Sequence, residues 1–257
     1  MTDGPLEPLS ETTGAAAPQS NESAFARLVG VLFSPDETFA SIARRPDWLV
    51  PLLLFVLLAV AAGVAVAQHV DFATTMREQI EERAQGKLTS DQIDQQVRIS
   101  AAVAKVVAYC APVFSIVIFV IVAAVMMLVY RMIGGEGGFR QYWSVTLYAW
   151  VPRTIQGIIM TIILFGRSAP ATAADLPTLV RSNLAFLVDA HDHKVLFALL
   201  SSFDLFAIWS LVLMAIGFAY VSRFSKAKSA TVLGTTWLIW TGLSLIPAAL
   251  GAIMGRK

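Results

Sequence analysis

The chain has 257 residues, of which 56% are hydrophobic and 14% charged, with a formal net charge of +1 and a single cysteine. A typical soluble domain carries about 25% charged residues, so one membrane domain has to fill most of this chain. Near-neutrality argues against nucleic acid as a partner, and a lone Cys110 excludes an intrachain disulfide or a Cys-based zinc site.

Residues 1–23 hold four acidic residues and no Lys or Arg among many Gly, Pro, Ser, Thr and Ala, which predicts a disordered tail and no secretory signal peptide. Residues 24–47 predict two short amphipathic helices at the interface. Phe25, Leu28, Val29, Leu32 and Phe33 share one face of the first. Ser34 then serves as N-cap of the second, with Pro35 in its first turn and Glu37 closing a capping box, and Phe39, Ile42 and Ala43 form its apolar face. Both are too short to span. They are expected to pack on the bundle rather than on lipid, since only Arg27, Arg44 and Arg45 supply positive charge.

Five nearly uncharged runs follow, at about 48–70, 106–130, 141–166, 195–222 and 229–255. Each exceeds the about 20 residues a helix needs to cross a hydrocarbon core. Because they are continuous rather than alternating, they predict helices and not barrel strands. The expected fold is therefore all-α, a polytopic bundle of five transmembrane helices over 48–257. Between the first two spans, Phe72, Met76 and Ile80 mark a helix that Gly86 ends. Thr89 and Gln92 then form a capping box, from which a single helix is expected to run from about Ser90 to Met132. In the 167–194 loop, Leu179, Val180, Asn183, Leu184, Leu187 and Val188 predict an amphipathic helix. Ala59, Gly63 and Ala67, Ala230 and Gly234, and Gly251 and Gly255 mark close-packing faces, which would also permit a homodimer. Pro112, Pro152 and Pro247 predict kinks inside their spans.

Arg131 and Arg140 lie in one short loop, and Arg223, Lys226 and Lys228 lie in another. The positive-inside rule then places the N-terminus in the cytoplasm and the C-terminus outside, and composition favours an inner membrane. Trp48, Tyr130, Tyr142, Trp143 and Tyr220 fall at the same ends and are expected to form an interfacial aromatic belt.

Arg153 and Asp204 are the two ionisable residues inside the five runs, and an intramembrane ion is a functional candidate by default. Counting ~1.5 Å per residue from the basic loops puts Arg153 about 18 Å deep and Asp204 about 28 Å deep, an offset that tilt and a Pro152 kink can close. Gln156 is the other polar group near mid-depth, and Lys105 is the competing partner for Asp204. The adopted reading is a structural ion pair rather than a substrate or proton site. His69, together with His191 and His193 beside Asp189 and Asp192, matches no metal-ligand spacing, so no metal or cofactor is expected. Gly134 to Gly138 lack a preceding strand and a following Lys-Ser/Thr, so they read as a flexible turn rather than a phosphate cradle. No nucleophile triad, catalytic carboxylate pair or HExxH pattern is present, which leaves no case for an enzyme.

The stretch from Phe25 through Ser34 and Pro35 to Phe39, followed by Arg45 to Trp48, resembles the start of the bacterial Ypt-interacting protein (Yip) domain family. Three later motifs carry the resemblance. They are Arg131 to Gly135 (with Gly134) ahead of the Pro152 span, Asp204 to Trp209 running on to Gly217, and Ser225 to Ser229 before the last span. The resemblance covers about residues 24–245 and implies five spans with a cytoplasmic N-terminus. Eukaryotic members bind small Rab-class GTPases through an N-terminal region. Here that region is short and lacks the Asp-Leu-Tyr-Gly-Pro motif, so GTPase binding is not carried over. What the resemblance implies is a membrane organiser or adaptor for other membrane proteins or lipids, with a carrier of a small solute or lipid as the alternative.

Reporter fusions test the orientation. A C-terminal alkaline phosphatase fusion should be active and a cytoplasm-dependent reporter at the same position inactive; the reverse result removes the five-span topology.

Overall fold

The computed structural model describes residues 23–173, 175–188 and 193–254, so the N-terminal tail, Asp189, His191, Asp192 and the last three residues lie outside it. The fold is all-α. Its helices are α1 (Ala24–Phe33), α2 (Pro35–Arg44), α3 (Leu49–His69), α4 (Phe72–Ala84), α5 (Ser90–Tyr109), α6 (Ala111–Met132), α7 (Phe139–Ala149), α8 (Val151–Gly166), α9 (Leu176–Leu179), α10 (Lys194–Ser202), α11 (Leu205–Ser222) and α12 (Lys226–Met254). α3, α6, α11 and α12 are each long and apolar enough to cross a membrane, and α7 with α8 forms a fifth candidate span bent by 40°. Leu57, Ile121, Val212, Leu238 and Trp240 project from these helices as exposed apolar side chains. Lipid tails rather than water are the solvent such a surface requires.

Three of the expected continuous helices are interrupted. The Ser90 to Met132 helix breaks at Cys110, and the third span breaks at Trp150. Pro112 and Pro152 each follow a break by two residues and occupy the first turn of the new helix. An amide there has no intrahelical acceptor, so each proline starts a helix instead of kinking one. The fourth span breaks where Phe203 and Asp204 leave helical geometry, which separates α10 from α11. α12 continues through Pro247 without a break.

The bundle has two recognisable ends. At the basal end, α2 packs against α7 and α11, while the turn between α6 and α7 is tied to the α11 terminus. Phe39, Ile42, Tyr130, Tyr142, Val145, Leu147, Tyr148 and Phe218 are fully buried there. Tyr130 and Tyr142 are therefore core residues rather than members of an interfacial belt, because Tyr130 finds Ser229 (2.9 Å to its carbonyl) and Tyr142 finds the Glu136 carbonyl (3.1 Å) inside the protein. Trp143 is buried as well. A Cβ on Gly217 would stand 2.4 Å from a Val145 methyl and 2.9 Å from the Phe39 ring, so its absence lets α11 meet α7 and α2 at once.

Arg27 fastens α1 to this end. Only 7% exposed, it binds Asp47 Oδ1 at 2.6 Å, the Arg45 carbonyl at 3.0 Å and Ser41 Oγ at 2.9 Å, while Tyr148 donates to Asp47 Oδ2 at 3.0 Å. Gln141 adds a 2.7 Å bond to the Ala43 carbonyl. Ser34 makes no side-chain cap, so the expected capping box is absent. Instead, the buried Thr38 hydroxyl bonds the Ser34 carbonyl at 2.9 Å beneath Gly30. Lys226 reaches Asp36 at 2.5 Å, and this hydrogen bond, helped by Tyr220, holds the Asp36 carboxyl below its usual range. A depressed carboxyl pKa means that the contact is intact above the ordinary carboxylate pKa and fades as pH falls through the lowered one.

The glycine-rich turn is pinned rather than flexible. Gly135 N–H donates to the Tyr130 carbonyl at 2.8 Å and Glu136 N–H to the Ser222 carbonyl at 3.1 Å. Gly137 adopts φ +93 with Val221 pressed against its α-carbon, a place no side chain can occupy.

At the distal end, α4 and α5 form a hairpin bridged by Arg77 and Asp94 at 2.5 Å, and the Thr89–Gln92 capping box is formed. Val70–Asp71 pairs in parallel with Ala171–Thr172. A Cβ on Gly63 would lie 2.5 Å from the Ala108 carbonyl, so α3 and α5 cross closely there. Gly234 on α12 faces open space. The expected Leu179 to Val188 helix is replaced by α9 and a 3-10 turn, Leu184–Leu187. Asn183 prevents continuity by accepting from Ala185 N–H at 3.0 Å and donating to the Pro177 carbonyl at 2.8 Å.

Arg27→Ala strips Asp47 of its ion-pair partner and the Arg45 carbonyl and Ser41 hydroxyl of a donor, and should lower stability by about 2–3 kcal/mol. Thermal unfolding in detergent measures this, and limited proteolysis should cut first between α1 and α3.

Candidate polar site at a broken helix

Asp204 owes its position to the interruption between α10 and α11. With φ −96 and ψ 138 it is the N-cap of α11, and its Oδ1 accepts from Phe206 N–H at 2.9 Å and Ala207 N–H at 3.1 Å. An N-cap carboxylate satisfies amides that would otherwise be orphaned, and it lies at the positive end of the helix dipole. Its Oδ2 accepts from Gln156 Nε2 at 2.8 Å and from the Ser182 hydroxyl in a short hydrogen bond. Gln156 Nε2 also reaches Ser182 Oγ at 2.9 Å, and Leu205 N–H donates to the Ser182 carbonyl at 2.9 Å. The carboxylate is only 3% exposed, yet every lone-pair direction is used.

Arg153 stands in the first turn of α8, just beyond the Trp150 bend. Its Nη1 lies 3.6 Å from Asp204 Oδ1 and donates to Gln156 Oε1 at 2.8 Å. The structure thus brings Arg153, Gln156 and Asp204 together, and it closes the depth offset by ending the helix at Asp204 and bending the span that carries Arg153. Lys105 is exposed on α5, where its charge acts on Asp71 instead. Ser182 was invisible in the sequence reading: an ordinary loop serine carries no signal until the loop is folded over the break.

Two cavities meet at this cluster. One, of 410 Å³, is polar on one side and lined by Arg153, Gln156, Asn183, Ser201 and Asp204 under the α9 segment. The other, of 230 Å³, lies among α3, α6 and α8 and is walled by Phe55, Ala59, Ile116, Phe119 and Ile158, with Arg153 again in its lining.

The remaining candidates lie elsewhere. His69 bonds the Ala65 carbonyl through Nδ1 at 3.1 Å and packs edge-on against Phe165, while His193 is exposed ahead of α10. Among the described residues no three His, Cys, Asp or Glu side chains gather as a metal site would require, and His191 lies outside them. Ser34, Pro35 and Trp48 belong to the α1–α3 junctions, Gly134 and Gly135 to the pinned turn, Pro152 to the α8 start, and Trp209 to the partly exposed face of α11.

Four to five apolar crossings, one of them bent and another starting beside an ion pair whose carboxylate is buried, define a multi-pass helical membrane protein with a polar centre. A family model, described as the Yip1 domain, matches residues 29–253. The chain belongs to that family. No curated protein and no solved structure matches it.

A double-mutant cycle tests the pair. Because Arg153 is 37% exposed and solvent screens its charge, Arg153→Gln should cost about 1–2 kcal/mol and Asp204→Asn about 3 kcal/mol. The double variant should cost less than their sum in detergent melts, and strict additivity would refute coupling.

Proposed function

We propose that this chain is a non-enzymatic organiser of a bacterial inner membrane, an adaptor for other membrane proteins or lipids, with its N-terminus cytoplasmic and its C-terminus outside. The carrying observation is the saturation of Asp204. A carboxylate held by two helix amides, a glutamine and a serine, with an arginine beside it, welds α8, the 180s loop and α11 together, whereas a transport or proton site must exchange its partners. The gathering of Arg131, Arg140, Arg223, Lys226 and Lys228 toward the end that carries α1 and α2 supports the orientation. Exposed apolar faces on α3, α6 and α12 suit lipid, a membrane partner or a second copy of the chain. GTPase binding, nucleic acid and cofactors have no part in this reading.

A carrier is the second reading, and a specific observation favours it. Two interrupted helices converge on Arg153 and Asp204 beside the 410 Å³ cavity, an arrangement that secondary transporters use to hold substrate.

Purified protein in liposomes separates the two. Lipid flip-flop and small-solute uptake should stay at the level of protein-free vesicles. Reproducible transport that Asp204→Asn abolishes in folded protein would replace the organiser with the carrier.

A further inference from the structure

Arg153 is the one member of the polar cluster whose hydrogen-bonding capacity is not spent. Its Nη1 serves Gln156 and faces Asp204, but Nε and Nη2, the two donors of the side-on edge of the guanidinium, have no hydrogen-bond partner among the described residues. Gln156, Asn183, Ser201 and Asp204, which also line the 410 Å³ cavity, are engaged. Gln156 uses both ends, Asn183 uses both ends, Ser201 bonds the Phe197 carbonyl at 2.8 Å, and Asp204 is saturated. The Asp204 charge is also largely answered by the α11 amides, which leaves the arginine short of a full counter-charge.

The second cavity begins at the same side chain. Its walls are mainly apolar, since the Ser115, Thr154 and Thr161 hydroxyls in its lining each bond a carbonyl four residues back, and Ile158 and Ile162 of α8 are exposed, so it opens toward the hydrocarbon. An arginine edge at the end of an apolar, lipid-facing cleft has one complementary class of ligand: an acyl chain that ends in a small anion. We infer that this cleft binds a long-chain carboxylate, with the carboxylate held two-pronged by Nε and Nη2 of Arg153 and the chain between α3, α6 and α8. A carboxylate is favoured over a phospholipid headgroup because its two oxygens match the paired Nε and Nη2 donors of one guanidinium edge. The site stands on this geometry and is compatible with either reading of function above.

Saturable binding of radiolabelled palmitate to the purified full chain in nanodiscs at pH 8 tests the assignment. Palmitate should bind at one per chain and Arg153→Gln should weaken it at least about tenfold, the scale of a lost charge-assisted contact. Gly157 lines both cavities, and a Cβ there would meet nothing within 4 Å, so Gly157→Leu fills the cleft without disturbing the ion pair and should also abolish binding. Hexadecanol, equal in chain but uncharged, and phosphatidylglycerol should both compete poorly. Unchanged binding in folded Arg153→Gln or Gly157→Leu protein overturns the inference. Competition by hexadecanol equal to that of palmitate overturns the role of the charge, and equal competition by phosphatidylglycerol overturns the carboxylate. If Arg153→Gln does not fold, the Gly157 variant and the two competitors decide.

Discussion

The polar centre of this protein is organised around one carboxylate buried in an apolar bundle. Burying an unpaired ion is expensive enough to unfold a small domain, so the fold supplies Asp204 with donors from three separate segments. Two come from the helix that Asp204 itself starts, one from α8 and one from the loop that closes over both. The break between α10 and α11 is part of the same solution, because a mid-helix aspartate would have no free amides to accept from. Gln156 and Arg153, just beyond the bend at Trp150, both reach Asp204.

The basal end solves a different problem by different means. Its rings are large, fully buried and tipped with hydroxyls, and each hydroxyl is answered by a backbone carbonyl or a carboxylate. α1 and α2 are held there by the Arg27 and Asp47 cluster as much as by Phe39 and Ile42. The two ends share α11, whose N-terminus carries the polar centre and whose C-terminal half carries Gly217 and Phe218.

The existence of the crossings was legible because length and hydropathy alone decide which segments can span. So were Arg153 and Asp204, since two ions in so much hydrocarbon are conspicuous. The breaks were not, because Phe203 and Cys110 are as apolar as their neighbours and hydropathy does not sense backbone dihedrals. The Asp204 cap did leave a trace: an aspartate followed directly by a helical apolar run is a start signal, and reading the run as one span concealed it. Tyr130 and Tyr142 were misplaced for a related reason. An amphipathic ring near a span end satisfies its hydroxyl equally well in headgroups or against a protein carbonyl, and sequence position does not distinguish the two.

The basal contacts also set a timetable for biosynthesis. Asp47 meets Tyr148 across 101 positions and Asp36 meets Tyr220 across 184, so α1 and α2 leave the ribosome long before their partners exist. Phe39 and Ile42 must wait on the bilayer surface, where a short amphipathic helix is a marginal and reversible guest. Docking can begin once α7 is made but is complete only after α11 has entered the membrane. The N-terminal helices therefore complete their contacts late although they are made first, and a chain that stops before α11 leaves Phe39 without the face that Gly217 opens to it.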